Sequence, residues 1–80
     1  MEIKEAALQT ILIEVDANTQ IVGEAPQFTY IDNIKIDITS AMPFWSIQKI
    51  LKNGIKTIIR NAEGDELHNK ILDDWNTFTY

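Results

Sequence analysis

The sequence predicts an α+β protein, in which an antiparallel sheet of four to six strands carries a helix packed on one face. Three observations predict this class. Isoleucine occupies 14 of 80 positions, and β-branched residues favour strands. Apolar and polar residues alternate over residues 34–39, which is typical of a half-buried strand. Apolar residues recur at helical spacing over residues 41–53, which predicts the helix, and the pattern allows a short C-terminal helix as well.

The length and composition predict a single small globular domain covering residues 1–80. Hydrophobic residues make up 45% of the chain, which is ordinary for a globular protein. The chain has no cysteine, so neither a disulfide nor a thiolate metal site can form. We recognise no signal peptide and no apolar run near the roughly 18 residues of a membrane span, so we expect a cytoplasmic protein. A domain of this size has a thin core, and self-association would add to its stability.

The N-terminal third predicts a β-hairpin. Residues 2–8 fit a short helix or the start of a strand equally well. Residues 10–15 alternate as a strand, residues 16–20 have the composition of a turn, and residues 21–23 return as a second strand. Pro26 has no amide proton to donate, so we expect it outside the interior of the sheet.

A second hairpin is predicted over residues 28–39. Residues 28–31 have the composition of a strand, and residues 32–33 predict a tight turn. Residues 34–39 then place three isoleucines on one side and polar residues on the other. A shift of one position would bury Lys35, so we expect the pairing register to be well defined.

Residues 41–53 carry the predicted helix. Thr39 or Ser40 can cap its first turn, and Gly54 can end it in the left-handed conformation. Trp45 falls opposite the apolar stripe, so the pattern predicts an exposed indole; the alternative is that the ring lies beneath a neighbouring loop or strand. Four side chains share the face that we expect against the sheet: Phe44, Ile47, Ile50 and Leu51.

The C-terminal third is less regular. Residues 55–60 predict a strand, and residues 61–64 predict a turn with glycine in the left-handed position. Residues 65–75 predict a helix capped by its first residue, with a return strand over residues 65–68 as the alternative. Residues 76–80 alternate, and they either close the sheet or leave an open edge for a partner strand.

Formal charge is distributed unevenly along the chain. Residues 41–62 contain four cations and no acid, residues 1–40 carry a charge of −5, and residues 63–80 carry −4, which together give the net charge of −5. A tryptophan outside the apolar stripe and a run of cations after it are typical of a contact surface. We therefore predict a partner-binding surface made of Trp45, Lys49, Lys52, Lys56 and Arg60.

No arrangement of residues in the sequence predicts catalysis, so we expect no enzymatic activity, no cofactor and no metal. His68 is the only histidine, and a structural role is the simpler interpretation. Adjacent acids such as Asp73 and Asp74 diverge by about 100° on a helix and do not by themselves share a site. The three glycines are scattered and provide no phosphate-binding loop.

Three functions compete on this information. The first is a small, soluble, non-enzymatic protein-interaction or assembly module that binds a protein partner or a second copy of itself. The second is a nucleic-acid-binding domain that uses the basic stretch 49–60. The third is an acidic inhibitor of the phage type that mimics nucleic acid, with Glu14, Asp16, Asp32 and Asp37 forming its negative surface. None of the three requires a membrane.

Overall fold

Residues 7–80, described by a computed structural model, form six strands and two isolated 3₁₀ turns. The strands are β1 (Leu8–Asp16), β2 (Thr19–Pro26), β3 (Phe28–Ile31), β4 (Ile34–Asp37), β5 (Ser46–Asn53) and β6 (Lys56–Asn61), and the turns are Ala62–Gly64 and Leu72–Asp74. One antiparallel sheet has the order β1-β2-β5-β6, and β3 pairs only with β4. The predicted α+β class is therefore wrong, because the described part of the chain is an antiparallel β structure without a packed helix. The ambiguous segment 2–8 lies outside the described residues except for its last two positions.

Residues 41–53, the predicted helix, contain no helix. Residues 46–53 are instead β5, which lies inside the sheet between β2 and β6. The segment is compatible with two periods, because Ile47 and Leu51, four positions apart, share one face in a helix and also share one face in a strand. Hydrogen bonding to strands on both sides decides the outcome, and local pattern does not reveal it. Gly54 has a left-handed φ of 63°, but it begins a two-residue hairpin turn into β6 rather than ending a helix.

The predicted C-terminal helix, residues 65–75, is also wrong. Its only helical part is the 3₁₀ turn Leu72–Asp74, and an irregular segment precedes it. Asp65 caps no helix; its carboxylate accepts hydrogen bonds from a backbone amide and from the ammonium group of Lys70. The backbones of Trp45 and Lys70 exchange two hydrogen bonds of 2.9 and 3.0 Å. This bridge holds the chain around Lys70 extended beside the start of β5, so residue 70 cannot be part of a helix.

The predicted hairpins are confirmed, with small shifts at their ends. In the β1-β2 turn, the Asp16 carboxylate accepts a hydrogen bond of 2.8 Å from the Asn18 amide. Asp32 and Asn33 both have positive φ, which is the type I′ pattern expected for a two-residue turn between β3 and β4. The strand predicted at residues 55–60 is β6. Local turn chemistry is therefore sufficient to place these bends.

One face of the four-stranded sheet is covered, and we call it the covered face; the other is the open face. Along β2, residues 19, 21, 23 and 25 are buried and alternate with half-buried ones, so β2 lies at the centre of the packing. The loop before β5 and the C-terminal segment supply the cover. The buried apolar core consists of Ile21, Ala25, Ile38, Trp45, Ile47, Ala62 and Leu72, with Ile13, Met42, Phe44, Trp75, Phe78 and Tyr80 packed around it.

Trp45 is at the centre of this core rather than on the surface. Its side chain is fully buried, and its indole Nε1 donates a hydrogen bond of 2.9 Å to the Thr39 carbonyl oxygen. The prediction of an exposed indole is therefore wrong, and the alternative of a ring beneath a neighbouring segment is confirmed. Trp45 directly precedes β5 and, in an extended chain, its side chain lies on the same face as that of Ile47, the covered face. In a helix over the same residues, Trp45 would point away from the sheet.

The strands β3 and β4 form a separate arm. They follow β2 and return to the body at Ile38, whose amide donates to the Gln27 carbonyl oxygen at 3.0 Å. Side chains near the tip are largely exposed, including Ile31 and Ile34 at 53% and 62%. The arm contributes to an elongated molecule with principal extents of 50 × 24 × 20 Å.

Candidate protein-interaction surface

The five residues predicted as a partner-binding surface do not form one patch. Trp45 is buried in the core and is unavailable to a partner. Lys52 pairs with Thr57 and lies on the open face, because residues that pair across strands share a face. Lys49 pairs with Ile21 of the core, so it belongs to the covered face, on the part of the sheet nearer the β5-β6 turn.

Three of the predicted cations share that face, and we call them the basic cluster: Lys49, Lys56 and Arg60. Lys49 lies directly opposite Arg60 in the β5-β6 register. Lys56 pairs with Asn53, which is four positions from Lys49 along β5 and therefore on the same face. Lys56 and Arg60 thus border the outer side of the sheet, and Lys49 stands one strand further in.

No member of the basic cluster forms an ion pair within residues 7–80. The one ion pair between a lysine or arginine and an acid in this range joins Lys70 to Asp65, and the remaining close contact is between His68 and Glu24. Like charges directly opposite each other on neighbouring strands repel and destabilise a sheet. The chain nevertheless places Lys49 against Arg60. An external anionic group would relieve this repulsion, so the arrangement is suited to binding negative charge.

Tyr80 supplies the aromatic group beside the cluster. The Lys49 ammonium nitrogen lies 5.5 Å from the centroid of the Tyr80 ring, a cation–π distance. The Tyr80 hydroxyl donates a hydrogen bond of 2.5 Å to the Trp75 carbonyl oxygen. Burial, and secondarily the negative charge of Glu63, raise the pKa of Tyr80 above its usual value of 10.0. Position 80 lies far from residue 49 in sequence, so pattern alone could not have connected the two side chains.

The outer edge of β6 is open next to the cluster. Among residues 7–80, β6 pairs only with β5, and its other edge has no strand beside it. The opposite edge of the sheet is β1, which likewise pairs only with β2. The charges on the two edges are opposite in sign, because β6 carries Lys56 and Arg60 without an acid and β1 carries Glu14 and Asp16 without a cation.

A half-open cavity of about 260 Å³ lies on the open face, away from the basic cluster. Val22, Glu24, Ser46, Gln48, Glu66 and His68 line it. Ser, His and Glu are the residue types of a hydrolase triad, but His68 Nε2 lies 3.7 Å from Glu24 Oε1, beyond hydrogen-bond distance. No hydrogen bond within residues 7–80 joins Ser46 to His68, and no three metal-ligating side chains cluster anywhere in that range. The cavity is therefore a polar groove in which Ser46 and His68 are not joined as a nucleophile and its base.

In three comparisons, no family profile, no curated protein and no solved structure matches the chain. Across residues 7–80, no helix is long and apolar enough to cross a bilayer.

Proposed function

We propose that the protein is a non-enzymatic protein-interaction module that binds an acidic, extended segment of a protein partner along the outer edge of β6. Such a segment would add a strand to the sheet through backbone hydrogen bonds. Its carboxylates would lie beside the basic cluster, which would select for negative charge. The cytoplasmic location predicted from the sequence remains part of this proposal.

The observation that carries the proposal is the placement of Lys49 directly opposite Arg60, next to an unpaired strand edge. A charge repulsion inside a small sheet reduces stability unless something compensates for it. Natural proteins do protect open edges with cations, and two cations on β6 alone would suit that purpose. Lys49 is on the interior strand β5, however, and edge protection does not account for a third cation there.

A nucleic acid is the main alternative ligand for the same cluster. Its phosphates would also neutralise the three cations, and affinity would then fall steeply with salt. Trp45 is buried and cannot stack on bases, which leaves Tyr80 as the aromatic group beside the cluster. The remaining support is weaker than that for an acidic strand, because phosphate binding makes no use of an open strand edge.

The third predicted function, mimicry of nucleic acid by an acidic surface, is poorly supported by the distribution of the acids. Glu14 and Asp16 lie at the end of β1 beside the β1-β2 turn. Asp32 and Asp37 lie on the arm, which begins after Pro26 at the opposite end of that hairpin. Seven positions of β2 separate Thr19 at one end from Pro26 at the other, or roughly 24 Å at 3.4 Å per residue. The four acids therefore do not form one continuous negative surface.

The test is a titration of isotopically labelled protein with three probes. They are a synthetic acidic peptide of alternating Glu and Thr, the same peptide with Lys for Glu, and a single-stranded oligonucleotide. We expect amide chemical-shift changes along β6 and at Lys49 with the acidic peptide only. The double variant Lys56→Glu/Arg60→Glu should abolish them, and the charge-matched control Lys35→Glu/Lys52→Glu should keep them. Equal response to both peptides, or tighter binding of the oligonucleotide at the same residues, would overturn the proposal.

A further inference from the structure

We infer that the acidic strand that docks on β6 is β1 of a second copy of this chain, an inference that rests on the proposed function of the β6 edge. The two edges of the sheet have complementary charge, with two acids on β1 and two cations on β6. Each edge is also unpaired within residues 7–80. One molecule therefore presents both halves of a head-to-tail contact.

The strand directions allow the sheet to continue from one copy to the next. Neighbouring strands in the order β1-β2-β5-β6 are all antiparallel, so β1 and β6 run in opposite directions. A second copy in the same orientation therefore offers β1 antiparallel to β6 of the first. The covered faces of the two copies would also lie on the same side, and side chains would continue to alternate correctly across the contact.

The pairing registers define which residues would meet. Asp16 pairs with Thr19, Thr19 with Leu51, and Leu51 with Ile58, so these four residues form one row across the sheet. If the row continues into the next copy, its Asp16 lies opposite Ile58, with Lys56 and Arg60 as the two diagonal neighbours. Diagonal positions are about 7–8 Å apart, which long side chains can span. The acid of one copy would therefore sit between two cations of the other.

Apolar side chains on both edges would lose water in the same contact. On β1, Leu12 and Val15 are 54% and 43% exposed, and on β6, Ile59 and Ile58 are 58% and 38% exposed. A long, exposed and apolar edge strand is a template for pairing with another chain. Head-to-tail contacts leave one free edge at each end of the complex. The oligomer should therefore grow with concentration unless the sheet twist closes it into a ring.

The test uses sedimentation velocity over a concentration series on two edge variants and their mixture. Glu14→Lys/Asp16→Asn changes the β1 edge and keeps an oxygen acceptor for the Asn18 amide, and Lys56→Glu/Arg60→Glu changes the β6 edge. We expect the wild type to associate in a salt-sensitive manner, and each variant alone to associate at least about tenfold more weakly. An equimolar mixture of the two should associate again, because the unchanged β6 edge of one variant then meets the unchanged β1 edge of the other. The control Lys35→Glu/Lys52→Glu should behave like the wild type.

Two results would overturn the inference. A β6-edge variant that associates as strongly as the wild type would show that β1 pairs with β1, or that another surface is used. A wild type that stays monomeric at millimolar concentration would remove the second copy as the partner. In that second case, specific binding of the acidic peptide at β6 would leave the proposed function intact. Circular dichroism on every variant checks that loss of association is not loss of folding.

Discussion

Replacement of Gly23 by alanine tests whether the C-terminal segment packs on β2 as described. A Cβ at this position would lie 2.6 Å from Leu72 Cδ1 and 3.1 Å from Trp45 Cε3. Overpacking of a core by one methyl group costs about 1–3 kcal/mol. Loss of glycine's freedom in the unfolded chain offsets about 0.4–1 kcal/mol of this. We expect Gly23→Ala to lower the free energy of unfolding by about 1–2 kcal/mol, measured by urea denaturation with tryptophan fluorescence.

A double-mutant cycle of Gly23→Ala with Leu72→Ala tests whether the Leu72 side chain causes the loss of stability. Leu72→Ala alone should cost about 2–5 kcal/mol, because Leu72 is buried. The shorter side chain makes room for the new methyl group, so the double variant should be about 1–2 kcal/mol more stable than the sum of the two single effects predicts. Gly54→Ala is the control: its φ of 63° makes alanine unfavourable by about 1–2 kcal/mol, but no atom lies within 4 Å of the added Cβ. Its cost should add to that of Leu72→Ala. A neutral Gly23→Ala, or additive costs in the test cycle, would refute the packing of Leu72 on Gly23.

Three further predictions concern the tryptophan, the buried lysine and the C-terminal tyrosine. Trp45→Phe should lower the free energy of unfolding by about 1–3 kcal/mol, seen as a lower urea midpoint, because it removes a buried hydrogen bond and core volume. The Lys70 ammonium lowers the pKa of Asp65 below its usual 3.8. The contribution of this pair to stability is therefore present above pH 3.8 and is lost as the pH falls through the lowered pKa. Asp65→Asn should thus reduce stability at pH 7 and flatten the acid side of the pH–stability curve; an unchanged curve would contradict this. The pKa of Tyr80 is raised in the folded protein, so the stability that depends on its neutral hydroxyl is present below pH 10.0. That stability is lost as the pH rises through the raised pKa. Tyr80→Phe should cost about 1 kcal/mol at pH 7, through the bond to Trp75, and should lessen the decline in stability above pH 10.

The hairpins could be predicted from the sequence because their signals are local. Turn residues such as Asp32-Asn33 need no information from the rest of the chain. The same is true of the alternation in residues 34–37, which form β4. In these segments the turn residues and the apolar–polar alternation predict the same structure, and that structure is the one observed.

Strand β5 could not be predicted because its identity depends on distant partners. Its register joins Ile47 to Gly23 and Lys49 to Ile21, contacts between positions more than twenty residues apart. A local pattern compatible with two periods is resolved only by which neighbours are present. Because residues 46–53 form a strand and not a helix, Trp45 is buried where the helical pattern predicted exposure. The helical and strand periods assign residue 45 to different faces.

The candidate surface was predicted in part. Three of its cations, Lys49, Lys56 and Arg60, lie on one face, although the helix that was to present the first of them does not exist. The role of Tyr80 and the opposite charges of the two edge strands depend on strand order. Strand order is set by long-range pairing and cannot be read from residue spacing.

Amide hydrogen exchange along β6 tests the central claim most directly. The outward-facing amides of Lys56–Asn61 have no strand beside them within residues 7–80 and should exchange rapidly in dilute protein. At high concentration, or with the acidic peptide, these amides should gain at least about tenfold protection, while amides of the β3-β4 arm should not change. Protection that appears on the arm and not on β6, or nowhere at all, would contradict the assignment of β6 as the binding edge.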